Sequence, residues 1–176
     1  MLKEIVFNKN LSWDSDLGGY PEKFVVEFSF EVINELRSNA TNLHEKCKSN
    51  FPLLVDSIES FKSKKIINGV GIFIIKGCNF YDFSKDQIKN IYEIISSILG
   101  ELLEQDANGS KIITIKDKGK LLSSGGRYHQ TSDGGSYHTD APHWITPPDI
   151  LGMWCINPAL EGGVSKFISG YTIHNE

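Results

Sequence analysis

The sequence predicts an α+β protein in which a helical flank precedes a series of closely spaced strands. Two observations carry this expectation. Apolar residues recur at helical spacing through the chain up to Gly100. From Gly119 onward, glycines and turn residues punctuate short candidate strands near 121–123, 135–140, 149–156 and 164–169. Such a series suits an antiparallel sandwich or barrel approached by helices. With 176 residues and neither an internal repeat nor a low-complexity linker, a single domain is expected over 1–176.

After the Gly18-Gly19-Tyr20-Pro21 turn, Phe28, Val32, Leu36, Ala40, Leu43 and Cys47 form one helical stripe. A second amphipathic segment follows Pro52, with Leu54, Ile58, Phe61 and Ile66. These are core-facing patterns. Gly71 to Ile75 is a short run rich in β-branched residues and reads as a buried strand. The clearest helix comes next: Ser84 and Gln87 make a capping-box pattern, and Gly100 supplies a stop. Between them Ile88, Ile91, Tyr92, Ile95, Ile98 and Leu99 share a face. Lys111 to Lys116 (KIITIK) reads as a strand.

Composition removes several classes of function. A net charge of −4 and a pI near 5.7 give no electrostatic ground for a nucleic-acid partner. The longest apolar stretch, Gly69 to Ile75, is far too short to span a bilayer, and the first residues hold no continuous apolar run suited to secretion. Cys47, Cys78 and Cys155 are odd in number and share no CxxC spacing, which excludes a zinc ribbon. Reduced, partly buried thiols in a cytoplasmic protein are expected instead. Arg37 and Arg127 are the only arginines, so forked donors for carboxylates are scarce.

His138 and Asp140 stand two apart, so on a strand both side chains leave the same face. An imidazole and a carboxylate projecting together can occupy adjacent positions on a divalent metal; one further imidazole would give the facial triad of non-haem iron(II) oxygenases. With five histidines and ten aspartates, an accidental HxD is expected roughly 0.3 times in such a chain, so the spacing alone does not establish a site. His143 lies five beyond His138, behind Pro142, and a hydrolytic site built on His138, Asp140 and His143 stays open as a weaker reading.

The surrounding residues narrow the choice. Tyr137-His138-Thr139-Asp140 is followed by Pro147-Pro148, an apolar run from Ile150 to Ile156, and Gly162-Gly163-Val164-Ser165. Upstream stand GVGIFIIKG, Leu99-Gly100, Gln105, Asn108-Gly109 and KIITIKDKG. Over roughly residues 65 to 176 this succession resembles the taurine dioxygenase and clavaminate synthase-like family of iron(II)/2-oxoglutarate oxygenases. The resemblance implies a double-stranded β-helix (jelly roll), with His138 and Asp140 on Fe(II) and Ser165 on a 2-oxoglutarate carboxylate. Gln105, Arg127 and Trp144 are weaker candidates for contact with a small-molecule substrate, an amino acid or a related amine or acid.

The family pattern also asks for a distal histidine and an arginine that pairs with 2-oxoglutarate. No arginine follows Arg127, and His174 sits where the family's next helix begins. The expectation is therefore an incomplete jelly roll, truncated before its C-terminal half and poorly active alone. A shortened reading frame, a split enzyme whose second chain supplies the distal histidine and arginine, a homo-oligomer, and a trimmed non-catalytic interaction module all fit.

Overall fold

Two serines decide where the main helices start. A serine hydroxyl can accept the orphan amides of a first helical turn, and the chain uses it so at Ser29 and Ser84. In the computed structural model, which describes residues 8, 10–77, 80–119, 123, 125 and 135–176, the elements run β1 (Val25–Glu27), α1 (Phe30–Ser38), α2 (Pro52–Phe61), β2 (Ile74–Lys76), α3 (Lys85–Leu99) and α4 (Gly170–Asn175). The chain divides into two compact units: Met1–Glu101 with Ile168–Glu176, and Leu102–Phe167.

The first unit holds the core. Val32 and Leu36 of α1, Leu54 and Ile58 of α2, and Ile91, Ile94 and Ile95 of α3 are buried, together with Leu43 and Phe51 from the connections. Fully burying a side chain of this size contributes about 1.5–3 kcal/mol. α3 has the expected capping box: Gln87 N donates to Ser84 Oγ (3.2 Å) and Ser84 N to Gln87 Oε1 (2.8 Å). Gln87 Nε2 also donates to the Ala40 carbonyl (3.1 Å). At the other end, Lys62 Nζ reaches the Leu99 carbonyl (2.6 Å) and Lys48 Nζ the Ser97 carbonyl (2.5 Å), placing cations at the negative end of the helix dipole.

α2 lacks a capping side chain of its own, since Phe51 precedes Pro52. Glu35 of α1 supplies the missing acceptors, its two carboxylate oxygens taking the amides of Leu53 and Leu54 at 2.9 Å each. Beyond α2 the chain widens into a π-helical stretch, Lys62–Ile67, and closes on Gly69. A Cβ on Gly69 would stand 2.5 Å from the Lys64 carbonyl and 2.6 Å from that of Lys65, so only glycine fits there. β1 and β2 then pair in parallel, with Val25 opposite Ile74 and Glu27 opposite Lys76.

The last residues return to the first. Ser169 Oγ, on a buried residue, donates to the Leu11 carbonyl and accepts from Thr172 N. Thr172 Oγ1 donates to the Trp13 carbonyl (2.7 Å) and Asn175 Nδ2 to Ser12 Oγ (3.2 Å). Trp13 in turn donates its indole N–H to the Val70 carbonyl (2.8 Å). His174 lies on α4, in keeping with the helix anticipated around it.

Four expectations are corrected. The stripe from Phe28 to Cys47 is not one helix: Asn39 caps α1, 3-10 turns follow, and Lys46 takes φ 53°. Leucine spacing survives this break because Val32, Leu36 and Leu43 are all buried. The strand predicted from Gly71 forms at Ile74–Lys76 on a half-exposed edge instead of a buried position, since among the described residues it pairs with one strand, β1. Cys47 and Cys155 are exposed, not partly buried, and Cys78 lies outside the described residues.

The fourth correction concerns the strands expected at 111–116, 135–140, 149–156 and 164–169, which form no ladder among the described residues; most of 121–123 lies outside them. A strand exists through its partner, and β-propensity without one leaves the backbone to solvent. The jelly roll is thus not observed, whereas the α+β character and the helical flank are. Among the described residues, no helix is long and apolar enough to cross a membrane.

Two substitutions test this packing. Glu35→Ala should destabilise the protein by about 1–2 kcal/mol in urea unfolding, because two α2 amides lose their acceptors. Gly69→Ala should cost about 1–3 kcal/mol, because the clash is with backbone and no side chain can step aside; an unchanged midpoint would contradict the close approach.

Candidate metal centre

No described residue of the second unit, Leu102–Phe167, is buried. Its order comes from local turns. Asp106 Oδ1 accepts from Asn108 N (2.9 Å) and Ser110 N (3.0 Å), and Gly109 follows with φ 78°. Gly162 and Gly163 both take positive φ, forming the turn expected ahead of Ser165.

Within this unit His138 and Asp140 converge. Their Nε2 and Oδ1 atoms are 3.6 Å apart, and the two side chains are 57% and 45% exposed. The segment is not a strand, so the shared face comes from its bends and not from a pleat. The other ring nitrogen, Nδ1, stands 2.7 Å from the Ser136 carbonyl. A carbonyl can only accept, so Nδ1 is the donor in this contact, and Nε2 is the nitrogen left on the Asp140 side to bind a metal. That is the arrangement a metal-binding histidine needs, with its remote nitrogen fixed by a backbone acceptor. Two ligands about 2.1 Å from one cation stand roughly 3.0–3.4 Å apart, so a small closure of the observed gap would seat a divalent ion. The donor set fits a hard or borderline divalent metal, iron(II) included.

Immediately after Asp140 the chain turns sharply. Ala141 adopts φ 46°, uncommon for a residue with a Cβ, and its carbonyl accepts from Trp144 N (3.0 Å). The turn leads to a cleft of about 480 Å³ lined by His138, Thr139, Asp140, Pro142, Pro147, Pro148, Asp149 and Leu151. The proline pair that follows the motif in sequence is therefore a wall of the cleft. Its rings have a fixed φ and little freedom to lose when something binds against them.

The remaining candidates fall elsewhere. Ser165 is exposed and is not among the residues lining the cleft. Gln105 spends its groups within its own turn, its amide N–H on the Ser110 carbonyl (2.7 Å) and Nε2 on the Leu103 carbonyl (3.1 Å). Trp144 packs edge-on against His143, with ring centroids 6.4 Å apart, and lies outside the cleft lining. Arg127 lies outside the described residues. Among the described residues, no three His, Cys, Asp or Glu side chains cluster to hold a metal, so the trio with His143 is not assembled. Asp149 and the Ser136 carbonyl were missed in the sequence. The first belongs to no spacing motif, and the second is a backbone group that no side-chain pattern reports.

Comparison with known proteins identifies the family. The profile of the family described as "Taurine catabolism dioxygenase TauD, TfdA family" matches residues 45–176. Among curated proteins, the chain is 25% identical over 114 residues to the FR-33289 synthase of Streptomyces rubellomurinus (strain ATCC 31215), an overlap covering 64% of this chain and 32% of that protein. The matched part of the chain thus spans about a third of the length of that relative. No solved structure matches the chain.

Proposed function

Because the chain belongs to the TauD, TfdA dioxygenase family, we propose that His138 and Asp140 are two of the ligands of an iron(II) centre. That centre oxidises a small molecule at the cost of 2-oxoglutarate. The observation that carries this reading is the facing of His138 Nε2 and Asp140 Oδ1 across 3.6 Å, with Nδ1 pinned by the Ser136 carbonyl. Iron(II), when bound, would activate dioxygen for hydroxylation or desaturation of an aliphatic carbon. The chain's own residues hold one imidazole and one carboxylate in adjacent positions and offer a proline-walled cleft beside them.

Ser165, whose hydroxyl can donate to a carboxylate, is assigned to 2-oxoglutarate on its place after the Gly162-Gly163 turn. No arginine follows Arg127, and no third metal ligand joins the pair among the described residues. A substrate of the amino acid, amine or acid class fits the volume of the cleft.

Mn(II) titration followed by electron paramagnetic resonance tests the pair without requiring turnover. His138→Ala should weaken binding by about ten-fold or more, because the remaining carboxylate is a lone exposed ligand. Equal binding by the variant and the original chain would overturn the assignment. Anaerobic addition of 2-oxoglutarate to the iron(II)-loaded protein should then produce visible charge-transfer absorption once a chelated site is complete. Its appearance in the His138→Ala protein would also count against the reading.

A further inference from the structure

The charges of the cleft say what kind of molecule it suits, and this step rests on the iron(II) reading above. With His138 and Asp140 engaged by a metal, Asp149 is the one ionisable side chain left among the lining residues. Among the described residues, neither lysine nor arginine lines the cleft. The rest of the lining is apolar, in Pro142, Pro147, Pro148 and Leu151, apart from the Thr139 hydroxyl.

We propose that Asp149 is a specificity-determining residue that selects substrates bearing a positively charged amine. An ammonium group set against Asp149 forms a charge-assisted hydrogen bond, while the carbon chain lies against the proline rings and Leu151. An anionic group in the same place would face a carboxylate with no basic side chain among the described lining residues to compensate, and such like-charge opposition is an effective means of rejection. Asp149 follows Pro147 and Pro148 directly in the lining of the cleft. Charge thus divides between the two carboxylates of the cleft: Asp140 serves the metal and Asp149 the substrate.

The test uses the full chain loaded with Mn(II), with n-butylammonium and butyrate as probes followed by calorimetric titration. Butylammonium should bind more tightly than butyrate. Asp149→Asn should weaken butylammonium binding about ten-fold while leaving butyrate no weaker, and Asp149→Glu, which restores the charge, should recover most of the loss. Equal butylammonium affinity in the original and Asp149→Asn proteins, or tighter binding of butyrate, would overturn the proposal. Mn(II) affinity is measured separately in each protein. Failure of the original chain to bind Mn(II) would overturn the iron reading, and the same amine titration on the metal-free chain would still decide whether Asp149 prefers a cation.

Discussion

The isoleucine face of α3 is the constraint on which the ordered part of this protein depends. Ile91, Ile94 and Ile95 are buried in the same unit as Leu36 of α1, Leu54 and Ile58 of α2, and the connecting Leu43 and Phe51. Contacts with the connections and with α2's end fix its termini: its own Gln87 reaches the Ala40 carbonyl, and Lys48 and Lys62 reach the carbonyls of Ser97 and Leu99. A helix held at both termini and along one face cannot rotate without breaking several bonds together. The same economy serves α2, whose first amides depend on a carboxylate of the preceding helix because Phe51 offers no acceptor. The helical unit is thus stitched by backbone ends as much as by apolar burial.

The second unit works on a different principle. None of its described residues is buried, and Ile145, Leu160 and Val164 are among its widely exposed apolar side chains. Strands of a jelly roll take partners across long connections, so their hydrogen bonds depend on chain far away in sequence. The metal pair escapes that dependence. Its geometry arises inside residues 136–140, where a backbone carbonyl orients the ring and two side chains meet two residues apart. The facing of these two side chains is therefore set locally, without pairing to distant chain.

This division also explains what could be read in advance. Ser84, Gln87 and Gly100 announced α3 because capping is a local transaction among neighbouring groups. The stripe through Phe28 and Cys47 misled because periodicity registers side chains and is blind to the left-handed turn at Lys46. α3 itself is rotated slightly from its expected face, with Ile94 buried and Ile88 partly exposed, since neighbouring helices decide which edge of an apolar stripe turns inward. Pairing residues for KIITIK and the later apolar runs were invisible to composition. At the metal pair, spacing identified the two side chains correctly as neighbours but for a different backbone reason. The cleft that contains them, with Asp149 on its wall, depends on how Ala141 and the prolines turn the chain.

The clasp between α4 and residues 11–13 has a statistical consequence. Because Ile168–Glu176 belongs to the same unit as Met1–Glu101, the roughly 66 residues from Leu102 to Phe167 are a closed loop and not a free tail. Closure of a loop of that length removes chain entropy on the order of 4 kcal/mol before any constant term. The Ser169, Thr172 and Asn175 bonds help to offset that loss when the first unit folds. The small hydroxyl-rich helix at the end of the chain thereby makes the span from Leu102 to Phe167 a loop whose two ends are held in one unit.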